Sequence, residues 1–197
     1  MRFIAHRVNS LEDLKALPTV YGAEIDLRER GDRIILQHDP FRDGEDFEPY
    51  LTHYRHGTLI LNIKSERIEH RVLDLVKKHG ITDYFFLDSS FPMIHLLSLQ
   101  GEDNFAIRFS EYEGLDTGLA MKNRVKWVWV DCFTRLPINR IVYETLKGCG
   151  YRLCLVSPEL QGREGDIPAY KNYLRKEGIV FDAICTKTRN IPAWSSP

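Results

Sequence analysis

Apolar and polar residues alternate strictly from Gly22 onward. Ala23, Ile25 and Leu27 fall on one face of a strand, and Glu24, Asp26 and Arg28 on the other. Gly31-Asp32 reads as a tight turn, and residues 33–38 return antiparallel. A two-residue turn pairs residues whose numbers sum to about 63, which brings His38 beside Asp26 to within one residue of register. Alternating or continuous apolar runs predict further strands at residues 3–6, 58–64, 84–88, 105–109, 127–131, 153–156 and 181–186. Helical spacing appears between them. Ser10 opens a short helix through Leu11, Leu14 and Leu17, closed by Pro18. Ile68, Val72, Leu75 and Val76 carry a helix over 67–79 that Gly80 stops. Residues 91–99, 138–147 and 167–176 read as helices. Residues 39–54, with Pro40, Gly44 and Pro49, read as a long loop with one helical turn, and Gly114 and Gly118 interrupt any helix in 111–123.

Leaving out the return strand of the hairpin, eight strands alternate with helices. This pattern predicts an α/β fold, a compact (β/α)8 TIM-type barrel in a single domain over 1–197. A β-hairpin follows strand 2. The second helix is reduced to the hairpin and loop, and the eighth to the tail 189–197. An open doubly wound sheet is the structural alternative. The shortened eighth helix leaves wall to be covered by Ile191 and Trp194, or by a second subunit in a homodimer.

Composition narrows the classes of function. The 27 Lys and Arg against 28 Asp and Glu argue against a nucleic-acid binder that relies on bulk charge. The 43% apolar content is ordinary, and no apolar run reaches the ~20 residues of a membrane span. The chain enters a strand at once, so no signal peptide is expected. Cys132, Cys149, Cys154 and Cys185 show no CxxC spacing; three fall in or directly beside predicted strands, and all four are expected as buried structural free thiols in a reducing cytoplasm.

Barrel enzymes place their chemistry at the C-terminal ends of the strands. Here those ends carry His6, Glu24 with Asp26, Asn62 with Lys64, Asp88, Arg108, Asp131, Glu159, and Thr186 with Lys187. Glu24 and Asp26, roughly 7 Å apart along one strand face, repel unless a cation lies between them. Oxygen donors of this kind suit Mg²⁺ or Ca²⁺ better than zinc. A solvated face with cross-strand ion pairs is the plainer reading of the same residues. Lys64, inward with Asn62 and Ile60, needs an anionic partner, which a carboxylate pair, a metal or a phosphate would supply. Trp127 and Trp129 share a face and read as packing.

His6-Arg7, Glu24-x-Asp26, His38-Asp39 and the strand ending at Lys64 resemble the glycerophosphodiester phosphodiesterase family, within the phosphatidylinositol phospholipase C-like barrels. The motif-level likeness covers the first third of the chain. Residues 182–186 are similar to the family's closing strand, and His6-Arg7-Val8-Asn9 resembles the His-x-x-Asn start of the sphingomyelinase D-like relatives. The resemblance implies a phosphodiesterase with His6 and His38 as acid/base pair, and Glu24, Asp26 and Asn62 on a divalent metal. It also implies that Arg7 and Lys64, with Asn9, lie on the phosphate or substrate. Arg108 is a further phosphate candidate, while Asp88, Asp131 and Glu159 are candidates for sugar or amine groups. The chain departs from the family at Asn62, where an acidic ligand is usual, and at Val8, where the hydrolytic relatives carry Gly. The span from His38 to Asn62 is short, so glycerol itself is not implied; the expected substrate is a small alcohol, sugar or headgroup phosphodiester, cleaved by water or through a cyclic phosphate. Two alternatives stay open: a non-catalytic barrel that binds phosphorylated ligands, and a metal-free phosphodiester lyase.

Overall fold

The strand that carries Glu24 and Asp26, β2 (Gly22–Arg30), has a neighbour along each edge. A computed structural model describes residues 1–195 and resolves two units, residues 4–102 and residues 1–3 with 103–195. In the first unit β2 runs parallel to β1 (Arg2–Ala5), with Ile4 opposite Gly22. It also runs parallel to β5 (Leu59–Ile63), which pairs in turn with β6 (Tyr84–Leu87). Beyond Asp26, β2 turns back on itself through β3 (Arg33–Leu36), with Leu27 facing Leu36 and Arg30 facing Arg33. This is the register that a two-residue turn at Gly31-Asp32 imposes.

Register decides which residues share a level. Ala23 faces Leu59, Ile25 faces Leu61 and Leu27 faces Ile63, and all six are buried. On the opposite face Glu24 lies against Ile60, and Asp26 against Asn62. The helices α1 (Leu11–Ala16), α3 (Glu69–Lys78) and α4 (Phe91–Leu99) follow β1, β5 and β6. Ser10 caps α1 by accepting the Asp13 N–H at 3.0 Å. Val72 and Val76 of α3 are buried, as their spacing requires.

The stretch expected as a loop is more ordered than its composition suggested. A two-residue strand β4 (Glu45–Asp46) adds to β3, and α2 (Phe47–His53) follows with Phe47, Tyr50 and Leu51 buried. Pro49 is tolerated because it occupies the third helical position, where the backbone N–H has no intrahelical acceptor to lose. The buried residues Phe47, Tyr50, Leu51 and Tyr54 repeat at three and four, a helical signal that the flanking prolines and glycine obscured.

In the second unit β7 (Ala106–Phe109), β8 (Trp127–Val130), β9 (Arg152–Val156) and β10 (Ala183–Thr186) run parallel in chain order. They alternate with α5 (Leu115–Ala120), α6 (Arg140–Gly148), α7 (Ile167–Lys176) and α8 (Ile191–Ser195). The α/β class and the (β/α)8 succession hold. Ile191 and Trp194 of the short α8 are both buried; Ser196 and Pro197 of the expected tail lie outside the described residues. Trp127 and Trp129 are buried packing. Cys132, Cys154 and Cys185 are buried free thiols, although Cys132 falls just past β8 rather than within it, and burial pushes its thiol up to about 12. Among the described residues no helix is long and apolar enough to cross a membrane.

The close approach of β2 to β5 depends on Gly22, where a Cβ would stand 2.3 Å from the Thr58 carbonyl oxygen. Gly22→Ala should cost about 1–3 kcal/mol by overpacking, read as a lower urea midpoint at unchanged slope. A midpoint equal to wild type would show that the strands separate there at no cost.

Candidate active site

Glu24 and Asp26 point the same way because they are two apart on one strand, and both are almost fully buried, at 1% and 0% exposed. Two adjacent buried carboxylates need donors, and each oxygen has one nearby. Asn62, level with Asp26 on β5, donates through Nδ2 to Glu24 Oε1 at 2.7 Å and to Asp26 Oδ1 at 3.2 Å. The backbone N–H of Arg7 donates to Glu24 Oε2 at 2.7 Å. Asn9 donates from Nδ2 to Asp26 Oδ2 and accepts the Asp26 N–H at Oδ1, both at 2.8 Å.

Basic side chains lie around this pair. His6 Nε2 lies 3.8 Å from Glu24 Oε2, and Arg7 Nε lies 3.8 Å from Asp26 Oδ2. Lys64 Nζ lies 3.8 Å from Asp26 Oδ1 and bonds Asp88 Oδ2 at 3.0 Å, so the anionic partner of this half-buried Lys is a carboxylate. Arg7 and Asp88 both adopt left-handed backbone, φ 57° and 58°, a conformation that side chains with a Cβ rarely hold. At Arg7 this turn aims the N–H at Glu24.

His38 follows Gln37, whose N–H donates to the Asp26 carbonyl at 2.9 Å. Its Nδ1 pairs with Asp39 Oδ1 at 2.8 Å, and this hydrogen bond holds the Asp39 carboxyl below its ordinary range. Nδ1 therefore donates, and the Nε2 lone pair faces away from Asp39. The loop at Val8 is anchored by Tyr50 of α2, whose hydroxyl donates to the Val8 carbonyl at 3.0 Å.

Glu24, Asp26 and Asn62 are the residues here that could hold a hard cation. Two carboxylates lie side by side in a buried site, and the Asn62 Oδ1 is buried with no hydrogen-bond partner, leaving one amide oxygen unspent. The set is oxygen-only, as Mg²⁺ and Ca²⁺ prefer. Its third member is neutral, and among the described residues no three His, Cys, Asp or Glu side chains group as ligands.

The remaining candidates belong to the second unit. Asp131, buried, accepts from Arg108 Nη1 at 2.8 Å, from Gln161 Nε2 at 2.9 Å and from the Cys132 N–H at 2.8 Å. Its oxygens are occupied in orienting Arg108 and Gln161. Glu159 is buried and accepts from the Ser157 and Thr186 hydroxyls and from the Lys187 N–H. Trp194 Nε1 donates to the Ser157 oxygen at 2.7 Å, so Glu159 is committed to tying β9, β10 and α8 together. Asn9, expected on the substrate, likewise spends both ends of its amide on Asp26. Short polar side chains at strand ends suit either use, and the sequence holds no signal that separates them.

No family model matches the chain, and no curated protein is significantly similar to it in sequence. Solved structures are similar in fold. A glycerophosphodiester phosphodiesterase from Agrobacterium tumefaciens str. C58 aligns at TM-score 0.66 and 17% identity over 94% of this chain and 96% of that one. A protein of Silicibacter pomeroyi DSS-3 described as a glycerophosphoryl diester phosphodiesterase aligns at 0.63 and 13%, covering 94% and 89%. A second Agrobacterium tumefaciens protein of the same description aligns at 0.69 and 11%, covering 98% and 96%.

Burial, and after it the Asp26 charge, push the Glu24 carboxyl up to about 7 from 4.5. The folded chain then holds a proton that the unfolded chain has released, so metal-free stability falls as pH rises from 4.5 to about 7. Thermal melts in chelator should show this slope, and Glu24→Gln should flatten it. A wild-type melting temperature that climbs across that window would contradict the assignment. With the carboxylates buried on one face and the eight-strand order in place, the chain has the (β/α)8 fold of these solved phosphodiesterase structures.

Proposed function

We propose that the chain is a metal-dependent phosphodiesterase acting on a small alcohol, sugar or headgroup diester. The observation that carries this reading is the buried Glu24–Asp26 pair, bridged by Asn62 and ringed by His6, Arg7 and Lys64. The names of the similar structures support it, at the level of fold. Glu24, Asp26 and the amide oxygen of Asn62 would hold Mg²⁺ or Ca²⁺. When bound, such an ion supplies positive charge for the phosphoryl oxygens.

The chain's own residues do the rest. Lys64, fixed by Asp88, and Arg7, about half exposed, neutralise the diester and lower the repulsion that any nucleophile meets. His38, with Nδ1–H on Asp39, takes the proton of the attacking hydroxyl at Nε2. His6 gives a proton to the departing oxygen. The P–O bond to the leaving alcohol breaks as the new one forms. A hydroxyl of the substrate yields a cyclic phosphate and free alcohol, and water yields the monoester. The buried free thiols fit a reducing compartment such as the cytoplasm.

His6→Ala and His38→Ala should each lower turnover of an aryl phosphodiester by at least about a hundredfold with the fold intact, measured by circular dichroism and initial rates. Full activity in both variants would refute the reading. Chelator should abolish activity, and Mg²⁺ or Ca²⁺ restore it; an active chelated enzyme would favour the metal-free lyase, in which a basic side chain such as Lys64 stands in place of the cation.

Asn62→Asp restores a third charge. It should tighten terbium or calcium binding by about tenfold or more while lowering metal-free stability, read by luminescence and by melting in chelator. Unchanged affinity would remove Asn62 from the ligand set.

A further inference from the structure

Arg28 follows Glu24 and Asp26 on the same face of β2, and its guanidinium contacts neither carboxylate through any of its three donated bonds. Nε and Nη2 both donate to the carbonyl oxygen of His38, at 3.0 and 2.8 Å. Nη1 donates to the carbonyl oxygen of Lys64 at 2.7 Å. One side chain therefore joins the end of the hairpin's return strand to the end of β5, at the two residues assigned to proton transfer and to phosphate. Both carbonyls lie just past the last paired residues, Leu36 and Ile63, where the ladder no longer supplies a donor. The Lys64 N–H still bonds the Leu27 carbonyl at 2.9 Å, so the strap begins where backbone pairing ends. A planar, permanently charged fork suits this task, since it reaches two separate acceptors with fixed spacing.

We infer that Arg28 is a positioning residue that sets the separation of His38 from Lys64, and so the placement of the proton acceptor against the phosphate. The role rests on the phosphodiesterase reading, because it takes its meaning from what His38 and Lys64 do. Arg28 acts through the backbone of those two residues, whose carbonyls accept all three of its bonds. Misplacement by about an ångström is enough to cost on the order of a hundredfold in rate.

The test is Arg28→Ala and Arg28→Lys, assayed with an aryl phosphodiester and by NMR of histidine-labelled protein. Arg28→Ala should lower kcat by about tenfold to a hundredfold, with millimolar guanidinium restoring part of it. Arg28→Lys, whose single ammonium lacks the fork, should fall between Ala and wild type and serves if the Ala variant does not fold. The His38 ring signals should shift or broaden in both variants while those of His95, exposed on α4, hold. The double variant Arg28→Ala/His38→Ala should be no slower than His38→Ala alone, since a positioning residue loses its effect once its client is gone. Independent, multiplying losses or absent guanidinium rescue in a folded Ala variant would overturn the inference. Should the wild-type chain cleave no diester, the functional reading fails on its own, and unchanged His38 signals in Arg28→Lys would separately overturn the strap.

Discussion

Two carboxylates buried side by side set the terms for the first unit. Each would lose several kcal/mol of hydration if left alone, and together they repel. The fold answers with donors drawn from three places: the Asn62 amide across the sheet, the Arg7 N–H at the first strand end, and the Asn9 side chain. Lys64 and Arg7 add charge from slightly farther away. Even so, Glu24 remains pushed up, because burial and the neighbouring Asp26 charge outweigh those donors. An environment of this kind is costly for stability.

Around that pair lies a layer whose task is orientation. Asp88 holds Lys64, Asp39 holds the His38 ring, Tyr50 holds the Val8 carbonyl, and Arg28 ties the His38 and Lys64 backbones. Each of the four bonds to backbone carbonyls or to one side chain. Left-handed backbone at Arg7 and Asp88 sits in the same region. Strain at two strand ends persists only where surrounding bonds over-determine the conformation, and the Arg7 N–H to Glu24 and the Asp88 carboxylate to Lys64 are bonds of that sort.

The second unit shows the same economy with a different outcome. Glu111 gathers the Thr134 and Arg135 N–H groups and the Thr134 hydroxyl. Burial raises its carboxyl, but those donors outweigh burial and bring it down to about 2. Glu159 is likewise satisfied, by two hydroxyls and an N–H. A carboxylate at a strand end can thus be a structural knot, and its chemistry depends on how many donors the fold has already turned towards it.

Periodicity and turn chemistry, both local, were enough to determine several things from the chain alone: the eight alternating strands, the hairpin register from Gly31-Asp32, and the shared face of Glu24, Asp26 and Arg28. Those features follow from the two-residue repeat of a strand and the geometry of a short turn. What each polar residue bonds was decided by tertiary structure. Asn9 turned to Asp26 from 17 residues away, Asn62 to Glu24 from 38, and Arg28 to the Lys64 carbonyl from 36. A repeat assigns a side chain to a face, but the partner on that face comes from another strand, whose level is set only when the sheet assembles. The helix α2 was hidden for a related reason: its apolar spacing is written in the chain, yet the surrounding prolines and glycine speak for a loop until Phe47 and Tyr50 find a core to enter.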